Sequence, residues 1–285
     1  MTGFQKIIKY GAIAFGIYLS ITIVFVFLGI ANGLVGGTKQ SVSEIIQNIE
    51  DPTLRDISQE YTDIGNLDIH LETVEMTIKT GDIFKIEGLE LPEKLEIKQD
   101  GNTLKISDEK VSSNPYNKDY HLTLYIPEEQ KLNKVDLEIE HICVTIEKIT
   151  ATNLKLDIDR GYCDIDNIIA DNLEIDSEYG EIDMYNGETQ KLIFDSDSGI
   201  EDMTVKVVEN AQIDLEYSDT NMTFIGKQEQ YQIHATNQFG NTYIAGTELE
   251  SGSQTLGNGN RKINLKSKSA NAHVDFKEMT NENYL

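Results

Sequence analysis

Ten acidic side chains recur in this chain at a spacing that could hold a cation. Glu138, Asp157, Asp176, Asp195 and Asp214 follow one another every 19 residues, and Glu140, Asp159, Glu178, Asp197 and Glu216 repeat the series two positions later. A separation of two places both series on one face of a strand. If successive copies stack at the usual strand distance of about 4.8 Å, neighbouring charges repel by roughly 0.9 kcal/mol even at the dielectric of water. Several carboxylate oxygens held together suit Ca²⁺, a hard cation that takes six to eight oxygens. Asp176, Glu178, Asp195 and Asp197 are the candidate cation ligands, because they have charged neighbours on both sides. The same face also reads as a docking surface for a basic partner, or as a solvated face that discourages aggregation.

Other chemistry is sparse. His70, His121, His141, His234 and His273 show no paired metal-ligand spacing, so they read as strand-surface histidines and not as a zinc set. No nucleophile elbow, phosphate loop or dinucleotide fingerprint occurs, and no cofactor is expected. Cys143 and Cys163 are 20 residues apart, one off the repeat, so they should point to opposite faces and remain thiols. Arg160 beside Asp159 is the only base set within the acidic series, a thin basis for catalysis, and the chain reads as a non-enzyme.

These side chains need a repeating scaffold. VDLEIEHICVTI, LKLDIDRGYCDI, LEIDSEYGEIDM, LIFDSDSGIEDM and AQIDLEYSDTNM begin at Val135, Leu154, Leu173, Leu192 and Ala211. A short strict period marks units that bury their apolar faces only by stacking on one another. Apolar and acidic residues alternate within each copy, the signature of a half-buried strand. Gly161, Gly180 and Gly199 are expected to turn the chain through positive φ, and Ile146, Ile165, Met184, Met203 and Met222 to form an inward stack. Glu201 falls in the inward column of Val144, Cys163 and Ile182, where a local twist is expected. The fold class is all-β, a single-stranded right-handed β-helix (β-solenoid); a hairpin-based β-sandwich is the alternative.

The repeat loosens on both sides, as terminal units of solenoids do. Downstream, Ile213 to Ile233 is a 20-residue step and Ile233 to Ile263 a 30-residue step. This alignment brings Asn221, Asn241 and Asn271 into line and makes 247–260 a loop excursion. Upstream, strands of uneven spacing start at Ile64, with 111–118 as a polar loop. The solenoid is expected over 64–276 and a short tail over 277–285.

Residues 10–35 carry no charge. As a helix this run would reach roughly 39 Å, enough to cross the ~30 Å hydrocarbon core with tilt. Lys6 and Lys9 precede it, which predicts a cytoplasmic N-terminus and an extracellular body. The alternative of a cleaved signal peptide lacks a good small-residue site, Ala31-Asn32-Gly33 being a poor one. Residues 1–38 are thus expected to form a cytoplasmic stub and membrane anchor, and 39–63 a juxtamembrane helix or linker opened by the capping box Ser41-x-x-Glu44. The net charge is −25, with no acid before Glu44. Such a body repels nucleic acid and anionic head groups and attracts cations or basic partners.

The early irregular strands, the strand closing in Tyr125-Ile126-Pro127, and the repeated Leu-x-Ile-x-x-x-x-Gly-x-Ile units together resemble a bacterial β-strand-repeat family labelled "putative adhesin". That resemblance implies a right-handed β-helix associated with the cell envelope, and no functional residue carries over. Three function classes follow: a membrane-anchored module binding a cell-wall component, cation or protein; an accessory subunit of an envelope-stress sensor; and a polysaccharide-cleaving β-helix enzyme.

Overall fold

A computed structural model describes residues 53–108 and 120–278. The expected stub and anchor (1–38), the helix from Ser41, the loop 111–118 and most of the tail lie outside these residues.

Among the described residues the chain is built from twenty strands and one 3-10 turn. The first seven strands are β1 (Leu54–Tyr61), β2 (Asn66–Leu71), β3 (Val74–Gly81), β4 (Phe84–Pro92), β5 (Glu96–Asp100), β6 (Thr103–Ser107) and β7 (Tyr120–Pro127). The regular part comprises β8 (Leu132–Glu140), β9 (Cys143–Ile146), β10 (Ile149–Asp159), β11 (Tyr162–Glu178), β12 (Glu181–Asp197), β13 (Ile200–Glu216) and β14 (Asp219–Ile225). After the 3-10 turn Gln228–Gln230 come β15 (Tyr231–Gln238), β16 (Asn241–Ile244), β17 (Thr247–Glu248), β18 (Gly252–Leu256), β19 (Arg261–Lys268) and β20 (Asn271–Lys277).

From β8 to β14 the pairing is parallel and follows the 19-residue register, with Leu154 on Leu173, Leu173 on Leu192 and Leu192 on Ala211. Parallel stacking of consecutive copies is what a solenoid requires and a hairpin sandwich forbids. Pairing lapses at Asp166 and Asp171, so each turn has three straight runs: 153–159, 162–165 and 167–170 in one copy. The apolar columns point inward. Leu156, Ile175 and Phe194 are all at most 1% exposed, and burying each such side chain stabilises by about 1.5–3 kcal/mol. The expected stack of Ile146, Ile165, Met184, Met203 and Met222 is fully buried.

At the tight turn the glycines play a different part from the expected one. Positive φ falls on the preceding residue: His141, Arg160, Tyr179, Ser198 and Tyr217 all lie between 56° and 63°, and Gly161, Gly180 and Gly199 are not among the positive-φ glycines. Those glycines occupy the inward side of the turn, where there is no room. A Cβ on Gly180 would sit 2.8 Å from Ile158 Cγ2 and 3.2 Å from the Ile158 carbonyl oxygen, and one on Gly199 would meet Glu201 Oε1 at 1.9 Å.

Glu201 also departs from expectation. Its column keeps register with Ile182 and Thr220, and the irregularity falls further on, between Met184 and Gly187 and again between Thr189 and Lys191. No twist is needed, because the carboxyl is accommodated inside. Glu201 is 1% exposed and accepts hydrogen bonds from Ser196 Oγ at 2.6 Å and Thr220 Oγ1 at 2.7 Å. Burial raises its pKa, while those hydroxyls, and Ser177 facing it with poorer geometry, pull the other way.

The ends of the stack do not follow sequence order. The turn made by β19 and β20 inserts between β13–β14 and β15–β16: β19 pairs with both β13 and β15, and β20 with both β14 and β16. The same exchange occurs upstream, where β2 pairs with both β6 and β8, and β3 with both β7 and β9. Register at the downstream end is two residues off the expected one, because Ile213 stands opposite Leu265 and Leu265 opposite Ala235. A slip of two leaves every side chain on its proper face. The Asn column is therefore broken: Asn241 Nδ2 donates to Asn271 Oδ1 at 3.1 Å, but Asn221 stands opposite His273.

Both ends are closed by antiparallel strands. β5 lies on β6, β4 on β7 and β1 on β4 upstream; β18 lies on β15 and β17 on β16 downstream. A reversed strand covers the open edge that would otherwise template another chain. Two expectations are thereby corrected. The strand region begins at Leu54, inside the segment assigned to a linker, because β1 finds an edge on β4; and 247–260 contributes β17 and β18 to a cap instead of looping out. At the other boundary β20 runs to Lys277, one residue past the expected end.

Candidate functional site

The acidic face is assembled by parallel pairing. Glu138, Asp157, Asp176, Asp195 and Asp214 stand in register on adjacent strands, as do Glu140, Asp159, Glu178, Asp197 and Glu216. Because β19 follows β13 in space, the columns end in bases that the linear repeat does not show. Lys266 Nζ lies 2.9 Å from Asp214 Oδ2, and Lys268 Nζ pairs with Glu216. Beside them opens a cleft of about 310 Å³ lined by Asp195, Asp214, Glu216, Lys266 and Lys268 among others.

Salt bridges distribute unevenly along the face. Lys155 reaches Asp157 at 3.5 Å, and Arg160 grips Asp159 through two hydrogen bonds of 2.9 and 2.8 Å. That grip holds the Asp159 carboxyl below the usual range, so the Asp159–Arg160 pair is a locked ion pair and not a poised acid or base. Among the described residues no salt bridge reaches Asp176, Glu178, Asp195 or Asp197. For Asp176, burial raises the carboxyl pKa first, and the charges of Asp157 and Asp195 add to it. For Asp195, burial again leads, with Asp214 adding and Lys266 opposing.

At the opposite end, the column continues through His70, which β2 places opposite Glu138. His70 Nδ1 lies 2.8 Å from Glu138 Oε2, and His70 Nε2 lies 3.2 Å from Glu72 Oε1. Glu72 is held by the buried Asp108, whose carboxylate accepts backbone N–H bonds from Glu72, Thr73 and Val74, each at 2.7 Å. His70, Glu72 and Glu140 bring their ligand atoms within 4.8 Å of one another. Among the described residues this is the group that converges well enough to hold a metal; the four central carboxylates align without converging. Spacing along the chain could not reveal it, since β2 and β8 lie more than sixty residues apart.

Cys143 is exposed and Cys163 buried, both as free thiols, with Cys163 opposite Val144 and Cys143 opposite Tyr162. Burial pushes the Cys163 thiol up to about 12, which leaves it inert.

No curated protein matches the sequence. Among solved structures, a putative adhesin from Bacteroides fragilis is 14% identical with a TM-score of 0.45, covering 79% of this chain and 99% of that one. A putative adhesin from Parabacteroides distasonis is 12% identical with a TM-score of 0.45, covering 80% and 98%. A putative lipid binding protein from the same species is 15% identical with a TM-score of 0.37, covering 79% and 97%. Residues 64–284 match the family described as Toastrack DUF4097, and the chain belongs to that family.

Proposed function

We propose that this protein is a non-catalytic binding or structural module at the bacterial cell envelope, a right-handed single-stranded β-helix carried outside the cell on a membrane helix over residues 10–35. The observation that carries the binding role is the double column of carboxylates with its centre left without salt bridges, at Asp176, Glu178, Asp195 and Asp197. Such a face, whose carboxylates align without converging on one point, is suited to a basic partner from the envelope or to divalent cations such as Ca²⁺ that bridge neighbouring carboxylates along a column.

The sign of its energetics follows from the raised carboxyls of Asp176 and Asp195. A raised acid pKa contributes stability below the unfolded value, loses it as pH rises through the folded value, and leaves the face strained at neutral pH. Calcium bound to the native arrangement relieves that strain and raises the melting temperature by mass action. The test compares melts of the protein in detergent with calcium against a monovalent salt of equal ionic strength. Asp176→Asn with Asp195→Asn should remove the calcium increment without lowering stability in its absence. Equal melting in the two salts would leave a solvated surface and no cation role. Location is tested separately, by protease on protoplasts: digestion beyond about residue 40 is expected from the lysine rule, and a protected body would overturn it.

A further inference from the structure

The tight turn lines up one left-handed residue per rung, and the spatial order of those residues departs from their order in the chain. Backbone bonds run from Arg160 N to Glu178 O, Tyr179 N to Asp197 O, Ser198 N to Glu216 O, Tyr217 N to Lys268 O and Ser269 N to Gln238 O. Each left-handed residue therefore donates to the residue just ahead of the next one. In space the ridge reads His141, Arg160, Tyr179, Ser198, Tyr217, Ser269, Phe239. From Tyr179 onward phenyl-bearing and serine positions alternate, so such a ring recurs at every second rung, roughly 10 Å apart.

These rings are not there for packing. Tyr179, Tyr217 and Phe239 are 57, 60 and 90% exposed, with Lys268 Nζ 6.0 Å from the Tyr217 ring centre as one lateral contact. Their φ values are 58°, 57° and 61°, a region where glycine or asparagine is at home and a bulky side chain is an outlier. Three exposed aromatics held at positions that oppose them, in step with each other, point to a ligand.

We propose that this ridge binds an extended β-1,4-linked N-acetylhexosamine glycan, the backbone chemistry of the cell wall, with Tyr179, Tyr217 and Phe239 stacking on successive sugars that present the same face. In such a chain every second sugar is oriented alike, and its repeat is of the same order as two rungs. The flanking column supplies the polar half of the site. Glu178, Glu216 and Gln238 immediately precede the three rings, and their oxygens accept bonds from sugar hydroxyls and amide N–H groups. The proposal rests on the extracytoplasmic reading above for its biological setting, but the binding itself does not.

The test uses the full chain in detergent, with chitohexaose in calorimetry and insoluble peptidoglycan in co-sedimentation. Tyr179→Asn with Tyr217→Asn is the informative variant, because asparagine suits the left-handed backbone. It should melt no lower than the parent while its chitohexaose affinity falls by roughly tenfold or more. Tyr185→Ala, exposed but off the ridge, should bind within about twofold of the parent, well inside one hot-spot effect. Absence of binding by the parent to both probes overturns the proposal, as does equal loss in Tyr185→Ala. Equal affinity for cellohexaose overturns the choice of N-acetylhexosamine, and loss of self-association in the ridge variant without glycan binding assigns the ridge to a second copy. Binding by a chain whose body is protected in protoplasts overturns the location alone, whereas an accessible body that binds neither probe overturns the ridge alone.

Discussion

The central rungs and the two ends of this solenoid are made of the same alternating strands, yet they are put together by different rules. From β8 to β14 each copy lies on the one before it in the chain, and partners are 19 residues apart except over Gly187 to Thr189, where the step is 18. At the ends, neighbours in space are not neighbours in sequence: Lys266 meets Asp214 across 52 residues, and antiparallel strands close the stack. Periodicity thus builds the middle, while the ends are defined by a return of the chain into its own stack.

The largest effect expected from that contrast comes from ending the chain after residue 260. If sequence order were spatial order, the loss would be one terminal rung. Here it removes β19 and β20, takes the buried Ile263, Leu265, Ala272 and Val274 out from between two rungs, and leaves β13, β14, β15 and β16 each without one partner. Counting about 1.5–3 kcal/mol for each of the buried Ile263, Leu265 and Val274, the loss should be about 5 kcal/mol or more, and the melting temperature should fall by about 10 °C or more. A truncated chain melting within a few degrees of the parent would refute the inserted rung.

Next in size is the pair of reasons for glycine. In the centre Gly180 is required by space, so Gly180→Val should cost about 1–3 kcal/mol as an overpacked core position does, while Glu178→Gln on the outer face should stay within about 0.5 kcal/mol. In the end cap Gly246 has φ +73° and nothing within 4 Å of a would-be Cβ. There Gly246→Asn should be nearly neutral. Chemical denaturation of the three variants checks the order, and a Gly180 variant as stable as the Glu178 one would mean the turn has room.

The smallest effect is a change of slope with pH. Burial raises the Glu201 carboxyl above its ordinary value, so its contribution is present below the unfolded pKa near 4.3 and is lost as pH rises through the folded value. Glu201→Gln keeps a hydrogen-bonding group against Ser196 and Thr220 and removes the titration. The variant should gain on the parent in melts at rising pH. Parallel pH profiles would show that Glu201 titrates as it does in the unfolded chain.

What could be read from the sequence is what period and alternation carry. The inward stack from Ile146 to Met222, the two acidic columns and the opposed cysteines all follow from a constant step of 19 and a side-chain period of two. The candidate carboxylates Asp176, Glu178, Asp195 and Asp197 were legible for that reason. The bases at their end were not, since nothing local in RKINLKSK says that this strand docks on β13 before β15 does. Register beyond Ile225 was missed by two, a shift to which alternation is blind. His70 and Glu72 were missed because β2 meets β8 only through the upstream exchange of rungs. At the turn, the glycine was visible but its reason was not: a chain pattern shows where a side chain is absent, not whether φ or space demands it.

The inserted rung also sets an order of events in biogenesis. β15 and β16 leave the ribosome before β19 and β20, yet they have no place on the stack until those later strands lie against β13 and β14. A chain emerging N-terminus first can therefore complete its central rungs as they appear, each on the last, but must keep β15 to β18 undocked until β19 and β20 follow. Closing contacts across 52 residues where the central rungs close across 19 is the slower kind of step. The last rungs of this protein are thus held open until the final strands arrive, and for that interval their unpaired edges depend on whatever receives the chain to keep them from other partners.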